Sequence, residues 1–407
     1  MLNHQLPGYS PLRLRPLLSG IGGALVARRP GPQALADWLS AEYGARDCAL
    51  TGSGTQALQL SLEICRDLPG SAARPVALPA YSCFDIVSAA VGAEVRVVFY
   101  DIDPRTLSPD PSSLARAAEA VPCAVVAGNL FGYPVDWAFL RSTADAVGAV
   151  LIEDAAQGLG SAWRGQPGGT HGDLTVLSFG RGKGWTGGGG GALLVRSPIL
   201  GPPARARAAA LPVTGVGTEV RHAALLGAQW ALGRPGLYAI PMTLPGVGLG
   251  ETTYKDPRLP TRMGRVASSV VLAHRGEATA EVGLRQDVAG GWVTRIEARC
   301  PNGEVQLCQP VADGSSSYLR LPLLLPDAAT AASVAHRAKR HGVARGYPTA
   351  LPDLAQIASR MAPAANETPG ARILAERLVT LPTHSLVRDR DMERICAVLE
   401  AARSTGS

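Results

Sequence analysis

The chain has 407 residues with a hydrophobic fraction of 46%, which is enough apolar material for a sizeable core and predicts two domains. Its formal net charge is +6, but the basic residues are scattered and form no dense block with interleaved aromatic residues. This distribution argues against nucleic-acid binding, which needs a clustered basic footprint, and suits an anionic small substrate.

The cysteines and the N-terminus indicate the compartment. The seven cysteines are odd in number, widely spaced and without a CxxC pair, so the sequence predicts neither a disulfide framework nor a metal site. The first residues lack an apolar core followed by a small-residue cleavage site. We therefore expect a cytoplasmic protein.

The first two-thirds of the chain predict a doubly wound α/β sheet. Helical patterns cover Pro32–Tyr43 and Gln56–Cys65. Short apolar runs then alternate with helix-like segments, at Val76–Leu78, Val95–Tyr100, Ala124–Ala127, Ala149–Ile152, Leu174–Phe179 and Ala192–Val195. Runs that are apolar on both faces are typical of parallel strands between helices, and ligands bind at the carboxyl ends of such strands.

The regular alternation ends after Val195 in an insertion at about 211–250. Its most apolar part, 223–250, is interrupted by Arg234 and by three prolines, so we do not expect it to cross a bilayer. We favour an insertion that is buried or contacts another subunit. A peripheral membrane contact through 223–250 is the less favoured alternative.

The C-terminal third predicts a second, smaller α/β unit. Its expected elements are helices at Gly264–Ala289, Ala328–His341 and Asp389–Ala402, and strands at Val305–Leu307 and Tyr318–Pro322. We therefore predict an N-terminal segment and large domain over 1–255 and a small domain over 256–407.

Polar residues at two places could bind a phosphorylated aromatic ring. Ser53, Gly54 and Thr55 precede a helix, whose free backbone N–H groups and dipole can hold a phosphate, although such residues are more often only an N-cap. Asp154 ends an apolar strand and could pair with a pyridinium nitrogen. Gln157, three residues later, could donate to a phenolate oxygen on the same ring.

Lys183 is the candidate nucleophile. It follows the apolar strand that ends near Ser178 and is the first lysine of the chain, which otherwise uses arginine before Lys255. A desolvated lysine can form an imine, whereas arginine cannot. A solvated loop lysine is the usual alternative, but the surrounding glycines would let the backbone approach a bound group closely. The segment Asn129–Pro134 could form part of a substrate mouth or an ordinary turn.

These segments, in this order and spacing, resemble the DegT/StrS family of pyridoxal 5′-phosphate (PLP)-dependent aminotransferases, often called nucleotide-sugar aminotransferases. The resemblance covers nearly the whole chain, including Ala34–Leu58, the Pro79–Ser82 turn, Asp154-Ala-Ala-Gln157, Ser178-Phe-x-x-x-Lys183 and a closing Leu381-Pro-x-His384 segment. It implies aminotransferase fold type I, with a mostly parallel seven-stranded sheet in the large domain, a small C-terminal α/β domain and a homodimer.

The resemblance also implies residue roles. Lys183 would form the internal aldimine with PLP and move the proton, Asp154 would pair with the pyridine nitrogen, and Gln157 would contact the phenolic oxygen. The other implied cofactor-binding residues are Ser53, Gly54, Thr55, Tyr81, Cys83, Ser178 and Arg181.

Two positions depart from the family pattern, and the insertion at about 211–250 is longer than the usual linker. Cys83 stands where relatives commonly place an aromatic ring over the cofactor, and Tyr81 or Phe84 is the expected substitute. The family's Asn before Arg-Met is replaced around Pro260, so Arg181 is the expected source of phosphate charge.

The implied reaction moves an amino group from glutamate to a keto-sugar, favoured as nucleotide-linked, with Lys183 as general acid and base. One alternative is a non-catalytic or regulatory PLP-binding protein. Another is a PLP-dependent sugar dehydratase, although such dehydratases of this family replace the lysine with His.

Overall fold

A seven-stranded sheet forms the centre of the larger part of the molecule. The computed structural model describes residues 4–26, 31–239, 252–301, 305–363 and 367–403. The strands of its first half are β1 (Asp47–Thr51), β2 (Val76–Pro79), β3 (Val97–Tyr100), β4 (Ala124–Gly128), β5 (Val150–Asp154), β6 (Ala162–Trp163), β7 (Gln166–Pro167), β8 (Leu174–Ser178) and β9 (Gly191–Val195).

The strand order in this sheet is β1-β9-β8-β5-β4-β2-β3. Strand β9 is antiparallel to both neighbours, and all other pairs are parallel. The predicted mostly parallel seven-stranded sheet is therefore confirmed. Strands β2, β3 and β9 are buried along their whole length, as expected for strands covered on both faces.

Some helices pack against this sheet, and others lie in the C-terminal third of the chain. They are α1 (Leu14–Val26), α2 (Gly31–Glu42), α3 (Gly54–Arg66), α4 (Asp85–Gly92), α5 (Pro111–Ala118), α6 (Trp137–Ala146), α7 (Gly201–Ala210), α8 (Val216–Leu232), α9 (Arg265–Ala273), α10 (Arg275–Arg299), α11 (Ala328–Ala338), α12 (Pro369–Arg377) and α13 (Asp389–Arg403). The single helix expected over Gly264–Ala289 is broken at His274, which separates α9 from α10.

The C-terminal third contains a second sheet with its own apolar core. Its antiparallel strands, in the order β10-β12-β14-β13, are β10 (Gln306–Leu307), β12 (Leu321–Leu324), β13 (Ala344–Arg345) and β14 (Leu378–Leu381), while β11 (Gly314–Ser315) pairs with β6. Buried residues of α10, α11 and α13, such as Trp292, Val334 and Ile395, pack together with this sheet. The domain division between 255 and 256 stays a prediction.

The predicted insertion at 211–250 contains the helix α8. Leu226 on one face is fully buried with Leu17 of α1 and Val270 of α9. The opposite face leaves Val216 and Val220 mostly exposed, so the helix is only half covered. Residues 240–250, which belong to the same expectation, lie outside the described residues. In the part of the chain that the structure describes, no helix is both long enough and apolar enough to cross a membrane.

Hydrogen bonds join the N-terminal segment before α1 to the C-terminal third. The backbone N–H of Gln5 donates to Arg340 at 2.9 Å, and the carbonyl of Leu6 lies 2.9 Å from Nε2 of His384. A guanidinium nitrogen of Arg285 donates to the carbonyl of Tyr9 at 2.9 Å. The segment therefore contacts both helix α10 and the closing Leu-Pro-x-His motif.

His384 should make folding stability sensitive to acid. Burial lowers the pKa of His384 from its usual 6.5 to about 4. The unfolded chain therefore takes up a proton before the folded chain does, and stability falls as the pH drops from about 6.5 toward 4. We expect His384→Gln, which can keep a donor toward Leu6, to reduce the loss in unfolding free energy between pH 7 and 4.5 by about 2–3 kcal/mol.

Urea unfolding at the two pH values measures this difference. The exposed His336 supplies the matched control, because His336→Gln should leave the pH dependence of unfolding as it is in the parent. An unchanged dependence in the His384 variant would contradict the expectation.

Candidate active site

An open cleft of about 510 Å³ lies at the carboxyl ends of β4, β5 and β8. These strands are parallel, and Gly128 at the end of β4 pairs with Asp154 at the end of β5, which in turn pairs with Val176, two residues before the end of β8. The seven predicted site residues that line the cleft are Gly54, Thr55, Cys83, Asp154, Gln157, Ser178 and Lys183. Side chains that are far apart in sequence thus share one cavity, as expected for parallel strands.

The first turn of α3 forms one wall of the cleft. Ser53 caps this helix by accepting a hydrogen bond from the backbone N–H of Gln56 at 3.2 Å. The backbone at Gly54 packs directly on Ser178, because a Cβ added to Gly54 would lie 2.7 Å from the Cβ of Ser178. The first N–H groups of a helix lack intrahelical acceptors and carry the positive end of its dipole. This wall can therefore hold an anion.

The close packing at Gly54 gives a testable consequence. Gly54→Ala would push α3 away from Ser178, and overpacking of this kind costs about 1–3 kcal/mol. If this wall holds the phosphate of a cofactor, we expect PLP affinity to fall by about 5- to 150-fold. Absorbance titration of the cofactor-free protein with PLP measures the affinity.

A matched glycine variant controls for the added methyl group. Gly283 lies in α10 with nothing within 4 Å of the position of an added Cβ, so Gly283→Ala should leave PLP affinity unchanged. Equal affinities for the Gly54 variant and the parent would show that this wall does not hold the cofactor.

Adjacent acids at the end of β5 face opposite directions. Glu153 is fully buried and accepts hydrogen bonds from the backbone N–H groups of Gly169 at 2.6 Å and His171 at 2.8 Å. Asp154 instead lines the cleft, since side chains alternate along a strand. Only Asp154 of this pair is therefore placed to meet a ligand in the cleft.

The electrostatics of Asp154 depend on what occupies the cleft. Burial raises the pKa of its carboxyl, although a hydrogen bond from the backbone N–H of Ala156 at 3.1 Å and the charge of Lys183 act in the opposite direction. Lys183 is half-buried in the same cleft and, among the described residues, its Nζ has no hydrogen-bond or ion-pair partner. An amine without a hydrogen-bond or ion-pair partner among the described residues thus stands near the carboxyl of Asp154, whose ionised form a nearby cation would stabilise.

Gln157 is held on both sides of its amide. Its Oε1 accepts from the backbone N–H of Phe131 at 3.0 Å, and its Nε2 donates to the phenol oxygen of Tyr347 at 2.8 Å. The Asn129–Pro134 segment, predicted as a substrate mouth or a turn, therefore supplies the group that holds Gln157. Tyr347 was not among the predicted site residues, because a Gly-Tyr-Pro sequence some 190 positions away carries no local signal of this contact.

Three predicted site residues do not line the cleft. Ser53 caps α3, as described above, and Arg181 is exposed. Tyr81 is fully buried, and its phenol oxygen accepts from the backbone N–H of Tyr347 at 2.8 Å. Phe84, the other expected stacking residue, packs near the ring of Tyr347 with centroids 6.5 Å apart. The cofactor roles of these residues stay predictions.

Cys83, at the position that the resemblance assigns to an aromatic ring in relatives, lines the wall of the cleft. Burial raises the pKa of its thiol to about 12, so the thiol is protonated at neutral pH. None of the described residues that line the cleft is aromatic. Within the described ranges, no group of three or more His, Cys, Asp or Glu side chains could hold a metal ion.

Residues 29–400 match the sequence model of the DegT/DnrJ/EryC1/StrS aminotransferase family. L-glutamine:2-deoxy-scyllo-inosose aminotransferase of Streptomyces kanamyceticus is 37% identical over 153 residues, which are 38% of this chain and 35% of that protein. dTDP-4-dehydro-2,3,6-trideoxy-D-glucose 4-aminotransferase of Saccharopolyspora spinosa is 35% identical over 153 residues, 38% of this chain and 39% of that protein. The chain therefore aligns with well under half the length of these relatives.

The fold is similar to that of solved aminotransferases over almost the entire chain. The aminotransferase TlmJ from Streptoalloteichus hindustanus superposes with a TM-score of 0.74 at 22% identity, covering 99% of this chain and 100% of TlmJ. This similarity confirms the predicted fold type I. Since the family match extends over most of its length, this chain belongs to the DegT/DnrJ/EryC1/StrS aminotransferase family.

Proposed function

We propose that this protein is a PLP-dependent aminotransferase that moves the amino group of glutamate or glutamine to a keto-sugar. The observation that carries the proposal is the single cleft shared by Lys183, Asp154 and the N-terminus of α3. Members of this family are PLP-dependent, and the cleft offers what this cofactor needs: an amine for its aldehyde, a carboxyl for its ring nitrogen and an anion site for its phosphate.

Each group in the cleft has a definable task. Gly54, Thr55 and Ser178 hold the phosphate at the start of α3, where Ser53 stabilises the helix by capping it. Asp154 stays ionised once a ring cation lies against it, since an opposite charge favours the ionised form. When bound, PLP supplies an electron-withdrawing ring that stabilises negative charge on the carbon that carries the amine.

Lys183 is the group that exchanges protons. Its Nζ lines the cleft without a hydrogen-bond partner among the described residues, so it is available both to bind the cofactor and to act as a general acid and base. The protonated thiol of Cys83 provides an uncharged part of the wall. The exposed Arg181, two positions before Lys183, adds positive charge near the loop that would suit an anionic substrate.

The activities for which two relatives are named support the substrate classes. One relative uses L-glutamine and 2-deoxy-scyllo-inosose, and another acts on a dTDP-linked dehydro-sugar. Both acceptors are cyclic ketones. The net positive charge of this chain supports a nucleotide-linked acceptor, and we extend the proposal to a homodimer in the cytoplasm.

Spectroscopy and product analysis test this function together. Protein loaded with PLP should show a visible absorbance band that bleaches when glutamate or glutamine is added. Mass spectrometry should then detect an amine product from a dTDP-linked 4-keto-sugar. A band that responds to no amino donor would support a non-catalytic PLP-binding protein, and loss of oxygen from the sugar without gain of nitrogen would support a dehydratase.

A further inference from the structure

Tyr347 is a buried residue of the C-terminal third that reaches the wall of the cleft from outside. It follows strand β13, and its ring stacks on Phe131 with centroids 5.9 Å apart and planes at 18°. Its phenol oxygen accepts a hydrogen bond from Nε2 of Gln157 at 2.8 Å. Tyr347 does not itself line the cleft, so any influence on a ligand passes through Gln157.

The backbone of Tyr347 is fixed to the large sheet. Tyr81, just beyond the end of β2, accepts from the backbone N–H of Tyr347 at 2.8 Å, and the two rings meet edge-on at 5.5 Å. The preceding residue, Gly346, packs against the same phenol oxygen, with which an added Cβ would overlap. The position of the Tyr347 ring is therefore set by contacts on both sides of the chain.

The orientation of the Gln157 amide follows from its two partners. The backbone N–H of Phe131 can only donate, so the atom that faces it must be the amide oxygen. The amide nitrogen then faces Tyr347 and uses one of its two hydrogens there. Rotating the amide by half a turn would set its N–H groups against the N–H of Phe131 and lose that hydrogen bond, so the second N–H is left in a defined direction at the wall of the cleft.

We propose that Tyr347 is a positioning residue, which holds the amide of Gln157 so that its remaining N–H can donate to the ring oxygen of the cofactor. The proposal rests on the proposed PLP-dependent function. Packing alone would also explain a buried tyrosine, but packing requires only the ring. The hydroxyl group is the part that separates the two explanations.

Tyr347→Phe removes the hydroxyl and keeps the ring contacts with Phe131 and Tyr81. A hydrogen-bond donor to the ring oxygen of the cofactor favours the anionic form of that oxygen. If the Gln157 amide becomes a weaker donor, the oxygen keeps the proton that it shares to a higher pH. In PLP-loaded protein, we expect the pH midpoint of the visible band to rise by about 0.5–1 unit, which corresponds to the net worth of one hydrogen bond. In a Gln157→Ala background, Tyr347→Phe should cause no further change.

Tyr100→Phe is the matched control. Tyr100 is also fully buried and donates its hydroxyl to the carbonyl of Val126 at 2.6 Å, without contact with Gln157. Its variant should lose a similar amount of thermal stability and keep the parent midpoint. The inference is overturned if Tyr347→Phe keeps the parent midpoint, or if it shifts the midpoint equally with and without Gln157. A parent protein with no visible band at all would instead contradict the proposed function, and this inference with it.

Discussion

Lys183→Ala should lower kcat/KM for amino transfer by at least about 10³-fold, since it removes both the cofactor-binding amine and a general acid and base. The variant should also lose the PLP adduct that borohydride fixes to the parent protein. The structural reason is that Lys183 is the basic side chain in the cleft wall, among the described residues that form it. Steady-state kinetics and mass spectrometry of borohydride-treated protein measure the two effects.

Lys255 provides the control for this variant. It is the next lysine along the chain and is exposed, outside the residues that line the cleft. Lys255→Ala should keep the parent kcat/KM and the borohydride-fixed adduct. An adduct that persists in Lys183→Ala would show that another amine binds the cofactor.

Asp154→Asn should have the second-largest effect on activity. The substitution keeps the shape of the side chain but removes the charge that pairs with the ring nitrogen. Removing one partner of a buried ion pair costs about 3–5 kcal/mol, so we expect kcat to fall by about 10²- to 10⁴-fold. Asp85, another carboxyl in the cleft wall, lies at the start of α4, and Asp85→Asn should lower kcat by less than about tenfold.

In the cofactor-free protein, Asp154→Asn should raise the stability of the fold. Burial raises the pKa of Asp154, so the folded state holds its proton to a higher pH than the unfolded state does. Stability is therefore fully present at low pH and is lost as the pH rises through the raised pKa. Without PLP, Asp154→Asn should melt at a higher temperature than the parent at pH 8, and the advantage should shrink on acidification.

Adding PLP should reverse this order, because the parent then gains an ion pair that the variant cannot form. Calorimetry with and without PLP at pH 5 and pH 8 measures all four combinations. A variant that melts below the parent at pH 8 without PLP would show that the carboxylate of Asp154 is stabilised within the protein alone.

Local sequence patterns were sufficient for the central strands and for most of the cleft. Apolar runs such as Val76–Leu78 and Leu174–Phe179 became β2 and β8 with small changes at their ends. Because parallel strands end at the same edge of a sheet, the order of the runs also predicted that residues following them would meet. Asp154 and Ser178, at the ends of β5 and β8, do line one cleft.

Elements that depend on distant partners were not predicted. No strand was predicted at Asp47–Thr51, yet β1 lies there and pairs with β9, some 140 positions later. No helix was predicted in the insertion that contains α8, and the burial of Leu226 comes from packing on α1 and α9. The helix break at His274 coincides with a tertiary contact, because Nε2 of this side chain lies 3.2 Å from the backbone of Arg13 in the N-terminal segment.

The sequence by itself determined which residue types could do chemistry, namely an isolated lysine, an acid at a strand end and small residues before a helix. Their meaning is local, since it follows from side-chain chemistry and from the end of a strand or helix. Only the tertiary structure decided how Gln157 is oriented and which residue holds it. The contact between Gln157 and Tyr347 joins positions 190 residues apart, and such a contact forms only when the folded chain brings the two residues together.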